Sequence, residues 1–415
     1  MSNKKQAPLV PKLRFPEFLG AEEWGADDLG LLADFVNEKI ALEQVALENY
    51  VSTENFLADY GGIGKASKLP TTGSVTRFQL NDTLVSNIRP YLKKVWIADK
   101  EGGASNDVIV IRAKQRLLPQ YLSALLKNDA FIDYVMTGAK GVKMPRGDVG
   151  SMKAYQALYP PRPEQQKIAD CLSSLNELIA AQARKVDALK THKKGLMQQL
   201  FPREGEIQPR LRFPKFQHTG AWQKQKISAL LTKAVKPVIT DSDTTYREIG
   251  IRSHGKGIFH KEPINGKAIG DKRVFWLVQE ALVLNIVFAW EQAVAVTSPA
   301  EKGMIASHRF PMYTARPNKA DVHFIRYFFL SNKGKELLGI ASPGGAGRNK
   351  TLGQKDFENL EFLLPSMVDE QKEIAKTLFA LDAHISIQSQ RLDSLKSHKK
   401  GLMQQLFPPV EAVEA

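Results

Sequence analysis

The side chains best suited to recognising a nucleobase edge sit in short, stiffened loops. In the first half, Ser86-Asn87-Ile88-Arg89-Pro90-Tyr91-Leu92-Lys93-Lys94 follows a strand-like run, with Arg89 beside a proline turn and Tyr91 available to stack. Gly138-Ala139-Lys140-Gly141-Val142-Lys143-Met144-Pro145-Arg146 is a glycine-rich basic loop, and Gly344-Gly345-Ala346-Gly347-Arg348-Asn349-Lys350-Thr351 is its counterpart in the second half. The second half adds Gly250-Ile251-Arg252-Ser253-His254-Gly255-Lys256-Gly257 and Ser307-His308-Arg309. A guanidinium fork matches the two acceptors of guanine, a side-chain amide matches adenine, and a lysine ammonium chiefly positions a phosphate backbone. The candidates are therefore Arg77, Asn87, Arg89, Tyr91, Lys93, Lys94, Lys140, Lys143 and Arg146 in the first half. In the second they are Arg252, His254, Lys256, His308, Arg309, Arg348, Asn349 and Lys350. Any one of these, taken alone, reads first as a solvated surface charge. Recurrence of a glycine-plus-basic loop at the same place in both halves singles that loop out.

Catalytic chemistry finds no matching set. Gly61-Gly62-Ile63-Gly64-Lys65-Ala66 resembles a phosphate loop, but Asp59 stands where its first glycine belongs and Ala66 where Ser or Thr would bind magnesium. No GxGxxG follows a strand, and Tyr159-Pro160-Pro161-Arg162 departs from the Asp/Asn-Pro-Pro-aromatic loop of amino-methyltransferases. The one cysteine, Cys171, excludes a cysteine-based zinc site and an intramolecular disulfide, and fits a reducing cytoplasm. His254 and His260 lack a third ligand and helical spacing, and acidic pairs such as Asp27-Asp28 read as solvated turns. No catalytic residue, metal or cofactor is assigned to this chain, and a cytoplasmic location is expected.

Composition agrees with a binding role. At 415 residues, with 43% hydrophobic and 25% charged side chains, the chain can bury two domain cores. Its 58 Lys and Arg against 44 Asp and Glu leave a formal charge of +14, which suits a polyanion whose condensed counterions are released on binding. The densest apolar stretch, Val274 to Val296, is interrupted by Glu280, Asn285 and Glu291, so no membrane span is expected.

The chain is written twice. His192-Lys193-Lys194-Gly195-Leu196-Met197-Gln198-Gln199-Leu200-Phe201-Pro202 recurs letter for letter from His398 to Pro408, and Glu164-Gln165 and Ile168-Ala169 return as Glu370-Gln371 and Ile374-Ala375 at the same offset. Pro11-Lys12-Leu13-Arg14-Phe15-Pro16-Glu17-Phe18 returns as Pro209-Arg210-Leu211-Arg212-Phe213-Pro214-Lys215-Phe216 at a second offset, which also pairs Trp24 with Trp222 and Asn87 with Asn285. The flanks match closely while the interiors, Asn37 to Pro160 and Lys233 to Leu364, share only scattered residues. Such a pattern suggests one task done identically twice and another done differently in each half.

Each half ends in a heptad stripe. Ile168, Leu172, Leu175, Ile179, Gln182, Val186, Leu189, Lys193, Leu196 and Leu200 alternate by four and three, as do Ile374, Leu378, Leu381, Ile385, Gln388, Leu392, Leu395, Lys399, Leu402 and Leu406. Pro163 suits a first helical position, Ser366 with Asp369 reads as an N-cap, and Pro202 and Pro408 stop the helices. Gly195 and Gly401 predict bent or closely packed last turns. About 37 residues make a rod of about 55 Å. Two such stripes pair most simply as an antiparallel coiled coil, with Gln182 and Gln388 meeting near the middle to set register. Cys171 beside Leu172 reads as a small buried apolar residue.

Taken together, the Leu-Arg-Phe-Pro-x-Phe openings at Leu13 and Leu211, the Glu-Gln-x-x-Ile-Ala starts at Glu164 and Glu370, and the Gly-Leu-Met-Gln-Gln-Leu-Phe-Pro endings at Gly195 and Gly401 resemble the specificity subunit of type I restriction–modification enzymes. The resemblance covers essentially the whole chain. It implies an α+β fold with target-recognition domains at 1–160 and 204–364, spacer helices at 161–203 and 365–408, and a tail at 409–415, in pseudo-two-fold repeat. It implies a non-catalytic subunit reading one half of a split double-stranded DNA target per domain. It further implies two methyltransferase subunits using S-adenosylmethionine, and restriction–translocase subunits using ATP and magnesium. A coiled-coil scaffold without its own DNA specificity, its basic charge serving acidic protein partners, is the competing reading.

Overall fold

The structure, a computed structural model, describes residues 9–344 and 350–408. Arg162–Leu200 and Val368–Leu406 form helices of 39 residues each, where the heptad spacing predicts them. Every seam position of both stripes is buried or half-buried, Gln182 at 7% exposure and Gln388 half-buried. Four details depart from the sequence reading. The first helix opens at Arg162, so Pro163 is its second residue rather than its first. The second helix opens at Val368, so Met367 rather than Ser366 precedes it, with the Met367 carbonyl accepting the Glu370 amide at 3.2 Å. Cys171 is only half-buried, on the flank of the stripe. A Cβ built on Gly195 or Gly401 would meet nothing within 4 Å, so no close packing inside the chain requires glycine there.

The chain folds as two compact units, and each draws on both long helices. One comprises the residues up to Ala183 and those from Gln390 onward; the other is Arg184–Ser389. In the first unit the four-stranded antiparallel sheet runs Ala33–Val36, Val108–Ala113, Thr83–Ser86, Val95–Ile97. The central strand Thr83–Ser86, with β-branched Thr83 and Val85, is buried throughout, as a strand packed on both faces should be. A second four-stranded sheet orders Lys39–Ala41, Ser74–Phe78, Gly102–Ala104 and Tyr50–Val51, the last pair parallel. Helices Pro119–Leu126 and Asp129–Thr137 pack against the first sheet's core, and the Asn128 side chain caps the second of them by accepting the Ala130 amide. The second unit repeats the first sheet with Leu231–Ala234, Met312–Ala315, Ala281–Leu284, Val294–Val296. Its other strands form three short two-stranded ribbons, together with the pair Gln223–Lys226 and Glu361–Leu364.

The repeated letters occupy equivalent places in the two units. Arg14 bonds Glu164 through Nε at 2.8 Å and a terminal nitrogen at 2.7 Å, and Arg212 bonds Glu370 at 2.7 Å through both. Gln165 Oε1 accepts the Leu118 amide at 2.9 Å, as Gln371 Oε1 accepts that of Asp321 at 2.9 Å. Leu13 donates its amide to Gln405 in the first unit, and Leu211 to Gln199 in the second. Phe407 lies against Trp24 and Tyr121, with ring centroids 6.4 and 5.7 Å apart, just as Phe201 lies against Trp222 and Phe324 at 6.4 and 5.4 Å. Each core is therefore closed by the end of the helix that does not begin in that unit. In the first unit Leu172 and Met403 enter the same core, while Asn176 and Lys399, one turn further along their helices in opposite chain directions, line the same cavity. The two segments run antiparallel. In the second unit Lys193 pairs with Asp382 in the same sense.

Candidate nucleic-acid interface

In the first unit the fold brings two of the sequence-predicted loops together. The buried strand Thr83–Ser86 ends at Asn87, whose amide bonds Asp107 O at 2.9 Å and whose carbonyl accepts the Gly147 amide at 3.1 Å. The Arg89 amide donates to Pro145 O at 2.8 Å. Lys140 and Arg146 exchange backbone bonds of 2.9 Å each, closing a hairpin over Gly141–Pro145. Gly147 is obligatory here, since a Cβ would lie 2.9 Å from Asn87 Oδ1 and closer still to Met152 and Val135. Arg89 and Lys93 bracket the turn Pro90–Leu92 with φ of +52° and +55°, a backbone region that bulky L-residues rarely occupy and that concentrates at functional sites.

Within this cluster the predicted residues divide. Lys93 is spoken for: its ammonium lies 2.7 Å from Asp129. Burial works against the charged form of that carboxyl, yet the Lys93 ammonium holds it below its ordinary range. The Asp129 charge, after burial, helps push the Tyr60 phenol well up. Lys94 Nζ donates to Thr53 O at 2.7 Å, Arg146 pairs with Asp107 at 3.2 Å, and Arg77 sits between Glu38 and Glu101 at 3.2 and 3.8 Å, away from the cluster on the second sheet. Lys140 is 85% exposed with Asp148 at 4.0 Å. Lys143 is exposed, as is Tyr91, and Arg89 Nε and Asn87 Oδ1 are buried atoms without a hydrogen-bond partner among the described residues. The sequence reading passed over Val142 and Met144, which flank Lys143 at the hairpin tip and stand fully and half in solvent; apolar groups on a projecting tip suit the thymine methyl.

The second unit builds its surface differently on the same frame. The position matching Arg89 is Val287, so no arginine follows the central strand there. Instead the ribbon Ile249–Ile251 with Ile258–His260 carries Arg252, His254 and Lys256 on its tip. Ser253 Oγ donates to Glu291 at 2.9 Å, and the amides of His254 and Gly255 bond Glu291 and Gln292 carbonyls at 2.7 and 3.0 Å, pinning the tip to the turn Ala289–Glu291. His254 holds φ +59°. Arg252 stacks over Phe259 at 4.9 Å. Together with Asn285, Phe288 and Phe310 these residues line a recess of about 470 Å³. The Arg309 carbonyl accepts the Ile286 amide at 3.0 Å, and His308 and Arg309 are exposed on the adjoining turn. Lys350 lies 5.6 Å over Trp290, and Leu352 bonds Ile286 O at 2.8 Å, so this segment meets the strand end as the hairpin does in the first unit. Arg348 and Asn349 lie outside the described residues. Phe259, Phe288, Trp290 and Phe310 were not foreseen; only Phe259, among the basic residues from Arg252 to Lys261, had a signal in the sequence. His260, near His254 in sequence, is held instead by Glu301 at 2.8 Å. Among the described residues no group of three or more His, Cys, Asp or Glu side chains converges, and no helix is long and apolar enough to cross a membrane.

Comparison with known proteins places this arrangement. A family model described as the type I restriction modification DNA specificity domain matches residues 43–191 and 217–397. The chain is 24% identical over 309 residues to a Methanocaldococcus jannaschii protein named as the specificity subunit of the type I restriction enzyme MjaX, covering 71% of this chain and 68% of that one. It is 22% identical over 335 residues to the MjaVIII specificity subunit of the same organism, covering 74% of each. In fold it resembles the crystal structure of the type I restriction–modification system S subunit from M. genitalium, with TM-score 0.58 and 14% identity over 96% of this chain and 99% of that one. A chain from a study of complex assembly and conformational transition in a type I system matches with TM-score 0.52 and 15% identity, covering 93% of this chain and 98% of that one.

Proposed function

The chain belongs to the type I restriction–modification DNA specificity family, and from that premise we propose that it reads an asymmetric, bipartite double-stranded DNA target, one half-site per unit. The observation that carries this reading is the contrast between shared frame and unlike loops. Arg14–Glu164 and Arg212–Glu370 anchor equivalent helix starts, while Arg89, Asn87 and Lys143 occupy the surface that Arg252, His254 and Lys256 supply in the other unit. Two readers on one frame address two sequences.

The repeated helix surfaces, with exposed His192, Lys194, His398 and Lys400, are where two identical methyltransferase subunits dock in this reading. We take the subunit as non-catalytic, with S-adenosylmethionine, ATP and magnesium used by the methyltransferase and restriction–translocase subunits. The long helices pair as an antiparallel coiled coil in which Gln182 and Gln388 set register. Half-sites about 34–36 Å apart, one helical turn, would present the same face of the duplex to both units.

The test is a replacement of residues 37–160 by the corresponding interior of another specificity subunit, within the assembled methyltransferase complex. Mapping methylated adenines should show one half-site changed and the other kept, with the gap preserved. Simultaneous change of both halves would overturn independent reading.

A further inference from the structure

The duplicated seam carries one unbalanced position. In the second unit Lys193 pairs with Asp382, whose other oxygen accepts the Tyr327 hydroxyl at 2.8 Å. The repeat places Lys399 at the position of Lys193 and Asn176 at that of Asp382. Thus the first unit has an amide where the second has the neutralising carboxylate. It also adds a second lysine, Lys127, from the end of helix Pro119–Leu126.

Lys127, Lys399, Asn176, Gln120 and Ser123 line a cavity of about 90 Å³ in the first unit. Neither lysine makes an ion pair among the described residues, and Ser123 Oγ, on a residue 3% exposed, has no hydrogen-bond partner. Burial, and then repulsion from Lys399, pushes the Lys127 amine down to about 8; burial also pushes Lys399 down. Two lysine amino groups thus line one space with no carboxylate partner among the described residues. Leaving such charges uncompensated is costly, and a tetrahedral anion offers four acceptors to exactly this kind of donor set.

We propose that the cavity bounded by Ser123, Lys127, Asn176 and Lys399 binds one free tetrahedral oxyanion, of the phosphate or sulfate type. A cavity of about 90 Å³ is of the order of one such ion. The two ammonium groups supply the charge, while the amides of Asn176 and Gln120 supply neutral donors. The bound ion does for the first unit what Asp382 does for the second, tying the start of one long helix, the end of the other and the recognition domain together.

The test uses the full chain, purified in chloride without phosphate or sulfate, and titrated calorimetrically with inorganic phosphate against chloride at matched ionic strength. One ion should bind per chain, because the second unit carries its own carboxylate. At about ten times the dissociation constant the thermal midpoint should rise by roughly 3 °C. Asn176→Asp should abolish phosphate binding and raise the midpoint in phosphate-free buffer, and Lys399→Gln should abolish binding as well. Absence of saturable phosphate heat in the unmodified chain overturns the proposal, as do two ions per chain, an Asn176→Asp chain that still binds phosphate, or binding of acetate in preference to phosphate.

Discussion

Arg14 and Glu164, 150 positions apart, form a two-pronged ion pair whose side chains are 4% and 1% exposed. It joins the chain's opening motif to the first turn of the first long helix, and Arg212 with Glu370 does the same in the other unit. Removing one partner of a buried pair leaves the other charge unpaired in a poorly solvated place. Glu164→Gln should therefore cost about 3 kcal/mol or more in chemical denaturation. A loss below about 1 kcal/mol would mean that surrounding packing, not the pair, holds the helix start.

Base reading should separate by unit. Arg89→Ala, in the assembled methyltransferase complex, should relax discrimination at one half-site by about 1–3 kcal/mol, and Arg252→Ala at the other by a similar amount. Competition binding with DNA carrying single substitutions measures both. Each variant should leave the opposite half-site untouched.

The lysine pair gives stability an unusual dependence on pH. Lys127 has its ordinary value of 10.5 when unfolded and about 8 when folded, so between these values the unfolded chain holds a proton that the folded chain has released. Stability accordingly rises with pH across that window, and the full penalty remains below it. Lys399, which faces Lys127 across the cavity, shifts in the same direction and adds the same sign. In phosphate-free buffer, Lys127→Met should exceed the unmodified chain by roughly 2–3 kcal/mol near pH 7, and the advantage should fade toward pH 10. Denaturation midpoints at stepped pH give the comparison.

Gly195→Ala and Gly401→Ala should each stabilise the isolated chain by about 0.5–1 kcal/mol, since alanine is the better helix former and its methyl meets open space. Identical glycines with no internal need for them point to close approach by another chain. The same substitutions should therefore weaken capture of a methyltransferase subunit, read by co-purification. Unchanged capture would remove that explanation.

The repeat and the long helices with their heptad stripes were legible because each is a periodic or duplicated pattern of letters. What Arg14 and Glu164 do for one another was not, because a pairing across 150 positions leaves no local trace. Among the candidate residues, Asn87, Arg89 and the Lys140–Arg146 loop were named from residue type and turn chemistry, and folding brings them to one place. Lys93, Lys94 and Arg77 carried the same chemical signal but spend their charge on Asp129, Thr53, Glu38 and Glu101. Residue type declares capacity; only neighbours decide whether it is already used. Val142 and Met144 escaped notice for the opposite reason, since an apolar letter ordinarily means core.

The closing of each core by the far helix also orders events at the ribosome. Arg184–Ser389 is one continuous stretch that carries the contacts of the second unit. The first unit emerges earlier, yet it waits for Met403, Leu406 and Phe407 before its core is sealed. Translation that stops shortly after Ser389 would thus spare the later-made unit and leave the earlier one open, with Trp24 and Tyr121 stripped of the ring that covers them.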